Sequence, residues 1–369
     1  MKTWAFSLLF LVGAVLAVPA TAHQASDSYL RLAFDDQSQL QVRWDIAIRD
    51  LQPVLAFDRD NNGLVTWQEL QEQAPGLIEY AQSRLGLRTD RSCRLEHQSL
   101  QVVEHSDGGY VVLNMLGTEC AASDNVEIGY SALFDIDTSH RGLVEFRHQQ
   151  NQYTAVMSPN ERWQSVGVAQ GWWASFVQFV REGVWHVWIG FDHILFLLTL
   201  LLPCLIGRDA GVEQSAKYAI ARILGVVTAF TVAHSVTLGL AVTGMVNLPA
   251  ALVEISIALS VTVVAINNLV PIITKRHWLL AGIFGLIHGF GFAGAMSDLD
   301  LSGVSLVSAL AGFNIGVELG QAAIVLVFVP LVWGLRNSWF YQVGMVRFGS
   351  VAVALVGMVW AVERFAAVA

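Results

Sequence analysis

Residues 186–207 read HVWIGFDHILFLLTLLLPCLIG, and the reading of this stretch decides the fold. His186, Asp192 and His193 stand at the head of a run that is otherwise apolar. A run of about 20 such residues crosses the hydrocarbon core of a bilayer. Ionisable side chains inside it are costly to bury and mark a functional site. On a straight helix, His186 and His193 share a face about 10 Å apart along the axis, with Asp192 turned about 100° away from His193.

The composition extends that reading. The chain has 369 residues, of which 54% are hydrophobic and 14% charged, and its mean hydropathy is +0.51, which excludes an ordinary soluble protein. A formal charge of −9 with no basic cluster excludes nucleic acid as a partner. From about Trp172 onward the sequence is nearly continuously apolar and predicts a membrane α-helical bundle over 183–369. Six spans are expected, near 183–206, 219–243, 248–270, 277–297, 304–335 and 345–366. Before them WWASFVQFVREG, with its paired tryptophans, reads as a helix lying at the membrane interface within a 166–182 linker. Arg208, Lys217, Arg222, Lys275, Arg276, Arg336 and Arg347 all fall in the same alternate loops, while the stretch SDLDLSG on the other side is acidic. The positive-inside rule then puts the first half of the chain and the C-terminus outside.

That first half begins with a targeting pattern. Lys2, the apolar WAFSLLFLVGAVLAV and Ala20-Thr21-Ala22 read as a cleaved leader over 1–22, leaving His23 at the mature N-terminus. Residues 23–165 then form an exported β-rich, sandwich-like domain: SYLRLAF, QLQVRWDIAI and NVEIGYSALF alternate as half-buried strands do, and LEHQSLQVVEH and YVVLNMLGTEC flank a hairpin turn at 106–109. The expected location is the inner (cytoplasmic) membrane of a bacterium with this domain in the periplasm. Cys93 and Cys120 sit at the two ends of that hairpin in an oxidising compartment and are expected to form a disulfide, whereas Cys204 is a lone membrane thiol.

Within this domain DRDNNGLVTWQE, residues 58–69, matches an EF-hand calcium loop. Asp58, Asp60 and Asn62 occupy positions 1, 3 and 5, and Gly63 is the turn glycine. Leu64 offers its carbonyl, Thr66 reaches the ion through water, and Glu69 is the bidentate ligand. LQPVLAF and WQELQEQA supply the flanking helices of this insertion. The alternative is an Asx-rich turn that caps the helix after Thr66. A single loop in an exported domain suits a structural calcium ion more than a sensor.

Further polar groups fall inside the spans: His234 in FTVAHSVTL, His288 in GLIHGFGFA, and Asn314, Glu318 and Gln321 at i, i+4 and i+7 in FNIGVELGQ. His193, His234, His288 and Glu318 lie at a similar depth, about 10–20 Å below the outer surface, with His186 nearer the mouth. Gly285 and Gly289, and Gly312, Gly316 and Gly320, repeat at four-residue spacing and allow close helix approach. Together the H-x5-D-H at His186, Asp192 and His193 and the three later motifs resemble the HupE/UreJ family of nickel permeases, in its longer branch with an exported N-terminal domain. The resemblance implies that His186, Asp192 and His193, and less tightly His288 and Glu318, take part in uptake of an ion such as nickel; with His234, which lies at the same depth, they make the expected metal set. Imidazole with carboxylate also suits zinc, copper, iron or cobalt. The partners expected are the metal ion and the lipid bilayer; no periplasmic metal-delivery protein is named by the sequence. Two other classes stay open. An intramembrane metal-dependent hydrolase would use His193, His234 and His288 as ligands and Glu318 or Asp192 as base, without an H-E-x-x-H motif. A calcium-responsive membrane anchor would have no turnover.

Overall fold

The computed structural model describes residues 26–366 apart from 106, 150, 169, 170, 207–214, 275, 298 and 300. The expected leader over 1–22 and His23 lie outside the described residues, as do Arg208 and Lys275.

Strands β1 (Asp27–Phe34) and β2 (Leu40–Ala47) are followed by three helices, α1 (Ile48–Leu55), α2 (Trp67–Glu72) and α3 (Ala74–Arg84). Then come β3 (Leu85–Arg88), β4 (Arg94–His105), β5 (Gly108–Thr118), β6 (Asn125–Tyr130), β7 (Arg141–His148), β8 (Asn151–Met157) and β9 (Trp163–Gly167). Six strands form one sheet in the order β4-β5-β2-β1-β7-β8, and a second sheet has the order β3-β6-β9. Within the large sheet β1 and β7 run parallel. The period-2 pattern sends Leu30, Leu32, Val42 and Trp44 into a core shared with Leu85, Leu87, Val126 and Ile128 of the small sheet and with Leu51, Leu70 and Leu77 of the helical insertion. The β4–β5 hairpin pairs from Arg94 with Thr118 to His105 with Gly108. Its open end is closed by the Cys93–Cys120 disulfide, 27 positions apart in sequence. Closing a loop of that length contributes on the order of 3 kcal/mol.

Alternation predicts strands with one wet face, but the large sheet is covered on both. Tyr29, Ala47, Tyr110, Leu143 and Val156 leave its second face and join Phe179, Val187, Leu238 and Phe313 of the helical half in one cluster. Several polar residues of that face are therefore enclosed, and Asp45 is paired. Asp45 receives Arg43 at 2.8 Å and His105 at 3.0 Å. The sheet is held on the helices by Thr154 with Ser175 at 2.8 Å, by the Gln178 amide on the Val156 carbonyl at 2.7 Å, and by Arg141 on Glu182 at 3.2 Å.

The helical half comprises α4 (Gly171–Ile189), α5 (Phe191–Leu201) with a 3-10 turn at Leu202–Leu205, α6 (Ala216–Val242), α7 (Ala250–Leu269), α8 (His277–Gly291), α9 (Ala293–Ser297), α10 (Gly303–Trp333), and a π-helical segment Phe340–Phe348 that leads into α11 (Gly349–Ala366). Among the described residues four helices are long and apolar enough to cross a membrane, and a fifth if α4 and α5 count as one broken span. The expected span 277–297 is divided between the 15-residue α8 and the short α9. The expected interfacial helix and the expected span 183–206 are also divided differently. Residues 172–182 belong to α4, which runs on to Ile189, and the chain then bends by 73° into α5.

Small residues explain why α4 joins the bundle. A Cβ on Gly312 would stand 2.5 Å from the Phe176 carbonyl oxygen, and one on Gly316 2.1 Å from that of Val180. From the other side, a Cβ on Gly183 would stand 2.1 Å from the Phe313 oxygen. Backbone lies on backbone, which any larger side chain would prevent. The matching order of these contacts means that α4 and α10 run parallel.

Candidate metal centre

The bend at Gly190 builds the site. Gly190 takes φ −66° and ψ 93°, an extended conformation between two helices. His186 and His193 consequently meet, with ring centroids 4.7 Å apart, rather than standing two turns apart along one helix. Asp192 and His193 are neighbours in the first turn of the helix that starts after the bend. Asp192 Oδ1 accepts from the His193 backbone N–H at 2.9 Å and lies 3.0 Å from His193 Nδ1. The 100° separation of a straight helix does not keep these two side chains apart.

Three helices converge on His193. His288 of α8 lies 5.1 Å from it, ring to ring. Phe230 of α6 bridges His288, at 5.3 Å, and His234, at 6.0 Å. Helices α6 and α8 come this close because a Cβ at Gly285 would stand 2.6 Å from the Phe230 oxygen and one at Gly289 2.1 Å from Thr237 Oγ1. His193, His234 and His288 are 9%, 1% and 1% exposed. His186 is less enclosed and sits against Phe292 at 5.1 Å and Phe313 at 5.3 Å.

The hydrogen bonds assign the tautomers. Asp192 can only accept from His193, so the proton is on Nδ1. Ser260 Oγ donates to the Ile257 carbonyl at 2.6 Å and so accepts from His288 Nε2 at 3.0 Å. The Asn314 amide donates to the Leu310 carbonyl, leaving its Oδ1 to accept from His234 Nδ1 at 3.3 Å. Each ring is thus oriented by one fixed acceptor, as metal-bound imidazoles are. The opposite nitrogens, His193 Nε2, His234 Nε2 and His288 Nδ1, are buried without a hydrogen-bond partner among the described residues. Leaving one buried nitrogen unsatisfied costs about 1–3 kcal/mol. Three such nitrogens fall in this one region of the bundle, although not all within 4.8 Å of one another.

Glu318 does not join them. It is exposed on α10 and makes no hydrogen bond with a described residue, whereas Gln321 is buried and receives the Thr231 hydroxyl at 3.3 Å. At about 100° per residue, Glu318 lies about 40° beyond Asn314, outside the arc that packs on α4 and α6. Two contributors were missed by the sequence reading. Ser260 looked like one more small polar residue of α7, and Gly190 carried the one available signal, a glycine inside an apolar run.

In the β-rich domain, Asp58, Asp60 and Glu69 bring one ligand atom each to within 4.8 Å of one another. They are the one such set of three among the described residues, so the histidine nitrogens are more widely spaced. Loop amides pre-order the carboxylates: Asn62 and Gly63 donate to Asp58, and Leu64 donates to Asn62. Thr66 and Glu69 form a capping box on α2, as the capping alternative predicts. Hydrogen bonds from Thr66 and from the Arg59 amide hold the Glu69 carboxyl below its ordinary range. The leaving helix is short, ending at Glu72 before α3 begins.

The family model described as HupE / UreJ protein matches residues 162–364, more than half of the chain. The matched segment contains His186, Asp192, His193, His234 and His288. No curated protein matches the chain.

Proposed function

The chain belongs to the HupE/UreJ family, and from that premise we propose that it is a membrane permease for a transition-metal ion of the nickel or cobalt type. It would work in the bacterial inner membrane with its β-rich domain in the periplasm. The observation that carries this reading is the set of three buried imidazole nitrogens left without partners while their opposite nitrogens are fixed. His186 would receive the ion from the outer side, His193, His234 and His288 would hold it, and the Asp192 carboxylate would offset its charge in a low-dielectric site. The wide spacing of the nitrogens favours passage, because a permeating ion must be bound loosely enough to leave. Hydrolysis is the weaker reading, since it needs a free base. Asp192 is engaged by His193 and Glu318 points away.

The test is uptake of radiolabelled nickel, cobalt and zinc by proteoliposomes carrying the purified chain. Accumulation of at least one ion above empty liposomes is expected; none for any of the three would refute transport.

We also propose that the Asp58–Glu69 loop binds one calcium ion as a structural element, through Asp58, Asp60, Asn62, the Leu64 carbonyl, Thr66 and Glu69. Calcium at ten times its dissociation constant stabilises a folded protein by about 1.4 kcal/mol. The full chain in nanodiscs should therefore melt a few degrees higher in calcium than in chelator, and Glu69→Gln should remove most of the shift. Equal melting temperatures for the parent under both conditions would sink the proposal.

A further inference from the structure

The second face of the large sheet and the outer ends of the helices enclose a cavity of about 210 Å³. Asp27 and Asp107 line it from the exported domain, Glu254 from α7, and Phe292 from the segment between α8 and α9. Its rim at Asn247 and Ser297 is exposed.

Asp27 is unlike the other buried aspartate of that sheet face. Asp45 is matched by arginine and histidine. Asp27 is 6% exposed, yet its carboxylate accepts no hydrogen bond from any described residue. The cation whose charge acts on it is the guanidinium of Arg141, which is committed to Glu182 and to the carbonyls of Ser139 and His140. Asp107 gives Oδ2 to Arg49 at 2.5 Å and to the Tyr110 hydroxyl at 3.0 Å. Its Oδ1 is buried without a partner. Burial first, and then repulsion from Asp107, push the Asp27 carboxyl up to about 7. A buried carboxylate with an uncompensated charge calls for a cation or a proton.

The cavity also lies in series with the histidines. The Phe292 ring stacks flat on Phe313, with centroids 4.1 Å apart and an angle of 2° between planes. His186 packs against both rings and touches His193. Phe292 therefore touches both the cavity and the first imidazole.

We propose that this cavity is an antechamber that captures a divalent metal cation through the Asp27 carboxylate and Oδ1 of Asp107 and hands it past Phe292 to His186. The proposal rests on the permease reading for the ion's destination, though not for its capture. Oxygen ligands outside and nitrogen ligands inside make a graded route. The carboxylates take up a hydrated divalent ion, and the imidazoles select for a transition metal. It also gives the exported domain a task at the pore, because Asp27 and Asp107 belong to its strand β1 and its β4–β5 turn.

The experiment uses the full chain carrying Glu69→Gln to silence the calcium loop. Manganese binding in nanodiscs is followed by electron paramagnetic resonance, and nickel uptake by proteoliposomes. Asp27→Asn should lose one bound manganese ion and raise the half-saturating nickel concentration about tenfold with a maximal rate within about twofold of the parent. Asp27→Glu should restore both. Removing an uncompensated buried charge should leave the melting temperature at or above that of the parent. Should Asp27→Asn nevertheless fail to fold, Ser297→Lys on the exposed rim should weaken capture in the same two assays. Manganese binding and half-saturation equal to the parent, in Asp27→Asn or in that substitute, would overturn the antechamber and leave the permease reading intact. Manganese lost in Asp27→Asn, with no uptake of any ion by the parent, would keep the antechamber and discard the permease.

Discussion

Alanine in place of His193 is expected to cut nickel uptake by proteoliposomes to the level of empty vesicles while the protein still inserts normally. His193 is the hub of the site: its ring meets His186 at 4.7 Å and His288 at 5.1 Å, and its Nε2 is one of the three unpartnered nitrogens. Its loss would remove a proposed ligand and also the contact through which an ion would pass from His186 inward. Asp192→Asn keeps the shape but weakens the acceptor that orients the ring, and a change of that kind costs about 10–100-fold in metal affinity or activity. His97 provides the control. It lies in β4 of the β-rich domain, and alanine there should transport like the parent. Parental uptake by both His193→Ala and Asp192→Ala would remove the proposed path. If those variants instead lost a hydrolytic activity and the parent moved no ion, the hydrolase would take its place.

The readable parts of the fold were those fixed by short-range pattern. Period-2 alternation located β1, β2 and β6, a turn between two such runs located the β4–β5 hairpin, and the cysteines at its ends located the disulfide. Runs of apolar residues located α6, α7 and α10 to within a few residues. Patterns of this kind say which side of an element is apolar, not what covers the other side. The second face of the large sheet was therefore expected in water, and it lies on helix ends, with Asp27 and Asp45 enclosed. The same limit applies within the site. Asn314, Glu318 and Gln321 share a stripe by spacing, but the arc that packs on α4 and α6 stops short of Glu318. Ser260 acts only through its contact with His288, which joins α7 to α8 and leaves no trace in either segment alone. The histidines themselves were legible because ionisable groups in apolar runs are rare enough to stand out. Their mutual geometry was not, because it depends on one backbone bend.

That bend makes Gly190→Ala the sharper test of the site. The backbone angles of Gly190 are open to alanine, so the effect comes from the added methyl group rather than from strain in φ. Its Cβ would stand 2.5 Å from His193 Nδ1, 3.0 Å from Asp192 Oδ1 and 3.0 Å from the His186 carbonyl oxygen. No atom can remain at the first distance, and the groups that must move are the imidazole and the carboxylate that orients it. Alanine is also favoured over glycine within a helix by about 1 kcal/mol. Both effects push residues 189–191 toward a continuous helix, and in a straight helix His186 and His193 are about 10 Å apart along the axis. Uptake should therefore fall nearly as far as in His193→Ala, although every proposed metal ligand is still present. The clash should cost about 1–3 kcal/mol of stability, so the melting temperature should fall by a few degrees while the protein still inserts. Gly225 of α6 is the matched control: a Cβ there meets nothing within 4 Å, and Gly225→Ala should leave uptake unchanged. Parental uptake in Gly190→Ala would mean that contact between His186 and His193 is not required, and the ion would then have to reach His193, His234 and His288 without His186.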